Sequence, residues 1–245
     1  MTDEADYFRF ADHASRNVLF APPSILARPT IPIWFISRIR RVRLCDVEQI
    51  QLKCLRNDAL GLVIMMQHNL EHTISLLTGT PAALNALLRH LPEAWTFRNE
   101  GENTWSAFDV VGHLIYGERI DWIPRARFIL QFGETRTFEP FDRQGHVCES
   151  RGKSLVQLLD EFAGLRADNL DKLRALNLRQ GDLERRGRHP AFGAVTLSQH
   201  LASWAAHDLT HVHQISRVMA HQYRQAVGPF RAYLGVLHCS GHSSP

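Results

Sequence analysis

The sequence predicts an all-α fold, an antiparallel four-helix bundle that follows a poorly ordered N-terminal extension. Three observations favour this class. Four long stretches repeat apolar residues at the spacing of amphipathic helices, no stretch shows a convincing strand alternation, and the connections differ in length. A chain of 245 residues with 44% hydrophobic content can bury a sizeable core. Packing four such stripes together makes a bundle.

The first 65 residues differ from the rest. Four prolines interrupt them, no helical period persists, and the apolar residues 31–36 are followed by four arginines. We predict that residues 1–65 are a disordered or dispensable extension, the alternative being a regulatory or anchoring arm. The bundle domain is expected over residues 66–238, and residues 239–245 are expected to form a frayed tail.

Local signals mark the first and third helices. Thr80 and Pro81 look like an N-cap and a first helical position, ahead of leucines at positions 84, 87, 88 and 91. A loop is predicted over residues 133–152. Ser154 and Gln157 then form a capping-box pattern that opens the third helix.

The second helix begins at another capping-box pattern, formed by Ser106 and Asp109, with Trp105 in front as a hydrophobic staple. Behind the cap, apolar residues follow a helical period. Gly117 and Pro124 lie inside this pattern, so we expect the helix to weaken or kink there.

Histidines on two helices are the candidate metal ligands. In the fourth helix, which opens at the capping-box pair Thr196 and Gln199, His207 and His211 stand four residues apart. Residues at that spacing lie on one helix face about 5–6 Å apart, as in a two-histidine metal clamp. Histidine is common here, with 14 residues, so the pair alone is weak evidence. Because bundles place metal sites between facing helices, His113 on the second helix can meet the pair.

Composition excludes other classes. The 28 basic and 25 acidic residues are spread along the chain without a polybasic run, which argues against nucleic acid as a partner. No apolar run approaches the roughly 18 residues that cross a bilayer, so no membrane is expected. Four cysteines without C-x-x-C spacing favour reduced thiols and a cytoplasmic location.

The order of the motifs resembles the DinB-like superfamily of metalloenzymes over about residues 66–238. The matching motifs are Trp105-Ser106, Gly112-His113-Leu114, His207-Asp208-x-x-His211, Gln214-Ile215, and a tail from Tyr223 to Leu234 in which Phe230 replaces the usual tryptophan. The resemblance implies a four-helix bundle with a divalent metal, which is zinc, nickel or iron in different members. It also implies that His113, His207 and His211 hold this metal. Members are often homodimers, and several transfer a low-molecular-weight thiol to a small-molecule electrophile.

Three neutral imidazoles leave coordination positions open, which is typical of a catalytic site. An open position can hold water, with its pKa lowered to about 7 by zinc, or a thiol, which the metal deprotonates. A hydrolase also needs a general base, for which Asp208, Glu118, Tyr116 and Asp121 are candidates. Thiol transfer needs less from the protein and is the favoured prediction. A metal-dependent hydrolase and a non-catalytic metal-binding stress protein are the alternatives.

The residues around the clamp have open roles. Asp208 either orients a histidine ring or is a surface charge. His200, two turns before His207, is expected at the pocket rim, the alternative being burial away from it. His213 is expected to be exposed or packed against a neighbour. The charged residues 182–188 are predicted to form a solvated turn, with arginines that could bind an anionic substrate.

Overall fold

A computed structural model describes residues 66–239, and the predictions for the N-terminal extension and for residues 240–245 lie outside that range. The limits assigned to the bundle domain stay a prediction. The elements in chain order are α1 Leu70–Leu88, α2 Glu93–Thr96, α3 Ala107–Ile120, α4 Trp122–Phe132, α5 Gly145–Ser150, α6 Leu155–Ala175, α7 Gln180–Leu183, β1 Arg186–His189, β2 Gly193–Thr196 and α8 Leu197–His221. Two 3-10 segments follow, Gly228–Tyr233 and Gly235–Leu237.

The prediction of a four-helix bundle is confirmed by the packing of the long helices. Helices α1 and α3 each pack against both α6 and α8, so the first two bundle helices in the sequence face each other across the core. Helices α3 and α8 are antiparallel, because the carbonyl of Trp122, just after α3, contacts His200 early in α8, whereas His113 earlier in α3 contacts His207. This arrangement places the middle of α3 beside the middle of α8.

The predicted capping boxes are present at the start of α3, α6 and α8. In each, the N-cap hydroxyl accepts from the backbone of the third helical residue, whose side chain bonds back to the N-cap backbone. Each box satisfies two backbone N–H groups that have no partner inside the helix. These three helix starts are therefore determined by local sequence.

Helix α1 begins earlier than the sequence predicted. Asn69 is the N-cap, and the Thr80–Pro81 step lies inside the helix. A proline within a helix removes one N–H donor and leaves the carbonyl four residues earlier, here that of Leu77, without its helical partner. Arg166 of α6 donates to that carbonyl over 2.8 Å. A long-range hydrogen bond therefore replaces the missing local one, and the helix continues through the proline.

The predicted disturbance of the second helix is a break at Asp121. Helix α3 ends at the preceding residue and α4 begins at the following one, so Pro124 occupies the first turn of α4, where no backbone donor is needed. Asp121 therefore lies at the corner between α3 and α4, and its side chain lines the same cavity as His113 and His207.

Two segments that were predicted to be irregular contain regular structure, so those two predictions are wrong. The loop over residues 133–152 includes α5, and residues 182–188 run from α7 into an antiparallel hairpin of β1 and β2. Each strand has only four residues, too few for an alternation to stand out. Gly187 fits against Ile129 and Phe138, where a Cβ atom would come within 2.7 Å of Ile129. Among the described residues, no helix has the length and apolar character needed to cross a bilayer.

Candidate metal centre

Three imidazoles converge between α3 and α8. The Nε2 atom of His207 lies 3.2 Å from Nε2 of His113 and 3.0 Å from Nε2 of His211. One ring nitrogen from each residue lies within 4.8 Å of the other two. The clamp on α8 and the single histidine on α3 therefore meet, as the helix spacing and the bundle geometry predicted.

The environment keeps these imidazoles neutral. Burial, together with the neighbouring histidines and Arg143, lowers the pKa of His113 to about 3. Burial also lowers the pKa of His207, with added repulsion from the other two rings and from Arg166. Burial lowers the pKa of His211 as well. Neutral imidazole is the form that binds metals.

Gln214 orients one ring of the cluster. Its Oε1 lies 2.8 Å from Nδ1 of His211, so that Nδ1 carries the proton and Nε2 keeps its lone pair. His207 Nε2 then faces two ring nitrogens, but a neutral imidazole has at most one proton there to donate. Hydrogen bonding among the rings leaves one of these close contacts without a proton, whereas a shared cation would satisfy all three lone pairs.

The carboxylates of Glu118 and Asp208 belong to a buried ion-pair network beneath the imidazoles. Arg166 donates to Glu118 Oε1 over 2.7 and 3.0 Å and to the two Asp208 oxygens over 2.6 and 3.0 Å. Asn169 and Trp204 also donate to Glu118. Asp208 is 1% exposed, which excludes the surface-charge alternative. Both carboxylates bind Arg166 and neither lines the described part of the cavity, so the structure offers no support for either as a general base.

Burial raises the pKa of Glu118, while the guanidinium of Arg166 and the amide of Asn169 oppose that rise. For Arg166 the burial penalty is outweighed by hydrogen bonds and charge from the two carboxylates, so its pKa is raised. The guanidinium is therefore a permanent cation inside the bundle. Its position ties α6 to α3, α8 and α1 directly behind the imidazole cluster.

A cavity of about 560 Å³ opens beside the imidazoles. Its described lining consists of Trp105, His113, Gly117, Asp121, Trp122, Arg125, Pro140, Phe141, Arg143, His189, Pro190, Ala191, Phe192, His207 and His211. Asp121 is the single carboxylate among these described residues. Tyr116 packs against Phe141 and is outside the described lining, so its catalytic role stays a prediction.

Two other histidines of α8, His200 and His213, differ in burial. His200 is buried, and its Nε2 lies 2.9 Å from the carbonyl of Trp122, which corrects the prediction that it stands at the pocket rim. His213 is exposed, as predicted. Trp105 packs against His113 and His211 with ring centroids 4.8 and 6.4 Å away. The residue expected as a staple is thus also a wall of the site.

Several residues of the site were not identified from the sequence. Arg166 carried a detectable signal, since it lies four residues after Phe162 and four before Leu170, on the apolar face of α6. A charge on a buried helix face implies a buried partner. Gln214 follows His211 by three residues and so shares its face. Phe192 had no comparable signal, because the hairpin that carries it was not predicted.

Comparison with known proteins agrees with this fold. The sequence profile of the DinB superfamily matches residues 76–215. The structure is similar to that of YfiT from Bacillus subtilis, described as "a probable metal-dependent hydrolase with an unusual four-helix bundle topology". The two share 20% identity with a TM-score of 0.55, over 67% of this chain and 91% of YfiT. No curated protein sequence matches the chain significantly. The profile match, the bundle and the ordered histidines together show that this chain belongs to the DinB superfamily.

Proposed function

We propose that His113, His207 and His211 bind one divalent cation and that the protein is a metal-dependent enzyme, with hydrolysis as its reaction. The observation that carries this proposal is the convergence of three neutral imidazoles, two buried and one half-buried, at the wall of a cavity. Three histidines leave further coordination positions free, which is the pattern of a catalytic metal site.

The residues fit a metal ion. Two nitrogen ligands on tetrahedral zinc at the usual bond length lie about 3.3 Å apart. The Nε2 separations of 3.2 and 3.0 Å are close to this value. Gln214 fixes the tautomer of His211 in the manner of an outer-shell ligand partner. Zinc, nickel and iron all accept imidazole, so the donor set supports a divalent metal without selecting one.

Hydrolysis is favoured by the carboxylate of Asp121. When bound, a divalent cation lowers the pKa of a water or thiol ligand and polarises a substrate oxygen. Asp121 lines the same cavity and is positioned to accept a proton from an attacking water molecule. Arg125 lies 3.0 Å from Asp121 and holds the side chain of Asp121 in place. Thiol transfer was favoured from the sequence because it needs less from the protein, and a carboxylate in the cavity supplies the additional group that hydrolysis needs.

Thiol transfer is the second candidate, supported by the ligand set. Neutral imidazoles would leave the full charge of a bound cation available to lower the pKa of a low-molecular-weight thiol, whose thiolate would add to a small-molecule electrophile or displace a leaving group from it. A cytoplasmic location, expected from the cysteine pattern, and a homodimer, implied by the family resemblance, are part of the same proposal. A non-catalytic metal-binding stress protein remains the outcome if neither reaction is observed.

Metal content tests the site first. The purified full-length protein is expected to hold about one equivalent of divalent metal by elemental analysis, and His207→Ala is expected to lose most of it. His213→Ala, an exposed histidine on the same helix, is the matched control and should retain the metal. Equal metal content in the two variants would refute the three-histidine site.

Reaction type is tested on the metal-loaded protein. We expect hydrolysis of a panel of esters and amides that requires metal, needs no thiol and falls at least tenfold in Asp121→Asn. If activity appears only with a thiol, and cobalt-substituted protein develops a sulfur-to-cobalt charge-transfer band on thiol titration, transfer replaces hydrolysis. If the activity does not depend on metal, both candidate reactions are contradicted.

A further inference from the structure

We propose that the cavity beside the imidazoles binds a small aromatic oxyanion, a carboxylate or phosphate ester on a planar ring, through Arg125 and Arg143. This inference deepens the proposed function, since it names the substrate class of the same site. It rests on the proposed function only for which end of the ligand reacts near the imidazoles. Anion binding by the arginines does not depend on that function.

The charges of the cavity wall favour an anion. The described lining contains two arginines and one carboxylate, so its ionised side chains sum to a positive charge even before a cation is bound. The side chain of Arg125 is largely buried, which strengthens its field within the cavity.

Arg125 is held in place and keeps N–H donors that its described contacts do not use. Its Nη1 lies 3.0 Å from Asp121, and its Nη2 donates to the carbonyl of Glu139 over 3.0 Å. Its guanidinium also lies over the ring of Phe138, 5.3 Å from the centroid. A guanidinium carries five N–H donors, so these contacts fix its plane and leave several donors for a ligand. Such a fork matches the oxygens of a carboxylate or phosphate.

The hairpin tip adds an aromatic surface at the cavity mouth. Phe192 is 78% exposed, yet it lines the cavity and stacks on His189 with centroids 4.4 Å apart and planes at 19°. Nδ1 of His189 accepts from the backbone N–H groups of Ala191 and Phe192 over 3.1 and 3.3 Å, which secures the tip. An exposed ring held at a pocket entrance offers a face on which a planar ligand can stack.

Size and wall composition complete the assignment. A volume of about 560 Å³ suits a small ligand and is too small for a folded partner. Trp105, Trp122 and Phe141 supply flat apolar walls to the same cavity. A ring bound among them, with its oxyanion at the arginines, leaves its other substituents near the imidazole cluster.

Calorimetric titration of the full-length protein tests this assignment. The probes are phenylacetate, phenyl phosphate and the neutral match phenylacetamide. We expect at least one anion to bind about tenfold or more tightly than the amide, because only the anion can form charge-assisted hydrogen bonds on both sides with the arginines. Arg125→Gln and Arg143→Gln should each weaken the anion about tenfold and leave the amide unchanged. Arg127→Gln, an exposed arginine on the same helix, is the matched control and should change neither.

Each titration is run on zinc-loaded and on chelator-treated protein, with circular dichroism to verify the fold of each variant. Arginine-dependent preference for the anion in both forms supports the inference, even if the metal-dependent function fails. Anion binding that disappears with zinc and ignores the arginine substitutions overturns it. So does equal binding of anion and amide, or no binding of any probe. The stronger of the two anions identifies the oxyanion.

Discussion

Replacement of Arg166 by methionine tests whether the buried ion-pair network holds the bundle together behind the metal centre. The substitution keeps an apolar side chain of similar length and removes every donor of the guanidinium. Four hydrogen bonds to Glu118 and Asp208 are lost, together with the bond to the carbonyl of Leu77. Two carboxylates and a carbonyl are then left in the interior without their cation.

The magnitude follows from these losses. Removing one partner of a buried ion pair costs about 3–5 kcal/mol, and stranding a buried carbonyl costs about 1–3 kcal/mol. Relaxation and water entry reduce the sum, so we expect a loss of about 4 kcal/mol at pH 7, which lowers the Tm by roughly 10 °C. Without Arg166, burial and repulsion from Asp208 raise the pKa of Glu118 further in the folded state. The folded variant then binds more protons than its unfolded chain, so its deficit should shrink as the pH falls toward 4.

Urea unfolding followed by circular dichroism at pH 7 and pH 5 measures both effects. Arg174→Met is the matched control, because Arg174 lies on the same helix, is exposed and pairs only with exposed Asp171 in the described structure. Its effect should stay within about 0.5 kcal/mol. In an Arg166→Met background, Pro81→Ala restores a helical donor for Leu77 and should recover about 1 kcal/mol. A loss below 1 kcal/mol at pH 7, or a larger deficit at pH 5, would refute the reasoning.

Three further predictions concern packing, ligand orientation and pH. Gly112→Ala would place a Cβ atom 2.4 Å from Oγ of buried Ser150 and should cost about 1–3 kcal/mol in urea unfolding. Gly164→Ala, with nothing within 4 Å, should instead stabilise by up to about 1 kcal/mol, and equal effects would contradict this packing. Gln214→Leu should weaken zinc binding about 10–100-fold in chelator competition, and unchanged affinity would exclude the orienting role. The pKa of His113 is about 3 in the fold, below the ordinary 6.5, so the unfolded chain binds its proton first. The metal-free protein should therefore lose about 2 kcal/mol between pH 6.5 and 5, and a gain would contradict the burial.

The helix starts and the histidine clamp were predictable because both are local. A capping box needs only a hydroxyl and a carboxylate or amide three residues later, and the boxes at Ser106, Ser154 and Thr196 are present. The approach of His207 to His211 follows from helical geometry alone. Their meeting with His113 required one further step, the expectation that apolar stripes pack into a bundle.

Other features depended on partners far away in the sequence. Pro81 was interpreted as a helix start because a local rule predicts that outcome, yet a donor from α6 lets α1 pass through it. Asp208 could not be assigned, because its partner lies 42 residues away on another helix. The hairpin tip with Phe192 was not predicted, because β1 packs against α4 and β2 against α8, and the short strands show no pattern of their own.

The sequence by itself determined the all-α class, three helix starts and the three imidazoles, since periodicity and capping act within a few residues. The tertiary structure alone decided which helices are neighbours, that Arg166 joins Glu118 to Asp208, and that Asp121, Arg125 and Phe192 share a cavity with the imidazoles. These features require contacts between distant segments, and such contacts follow from how the helices pack together. No pattern within one segment encodes them.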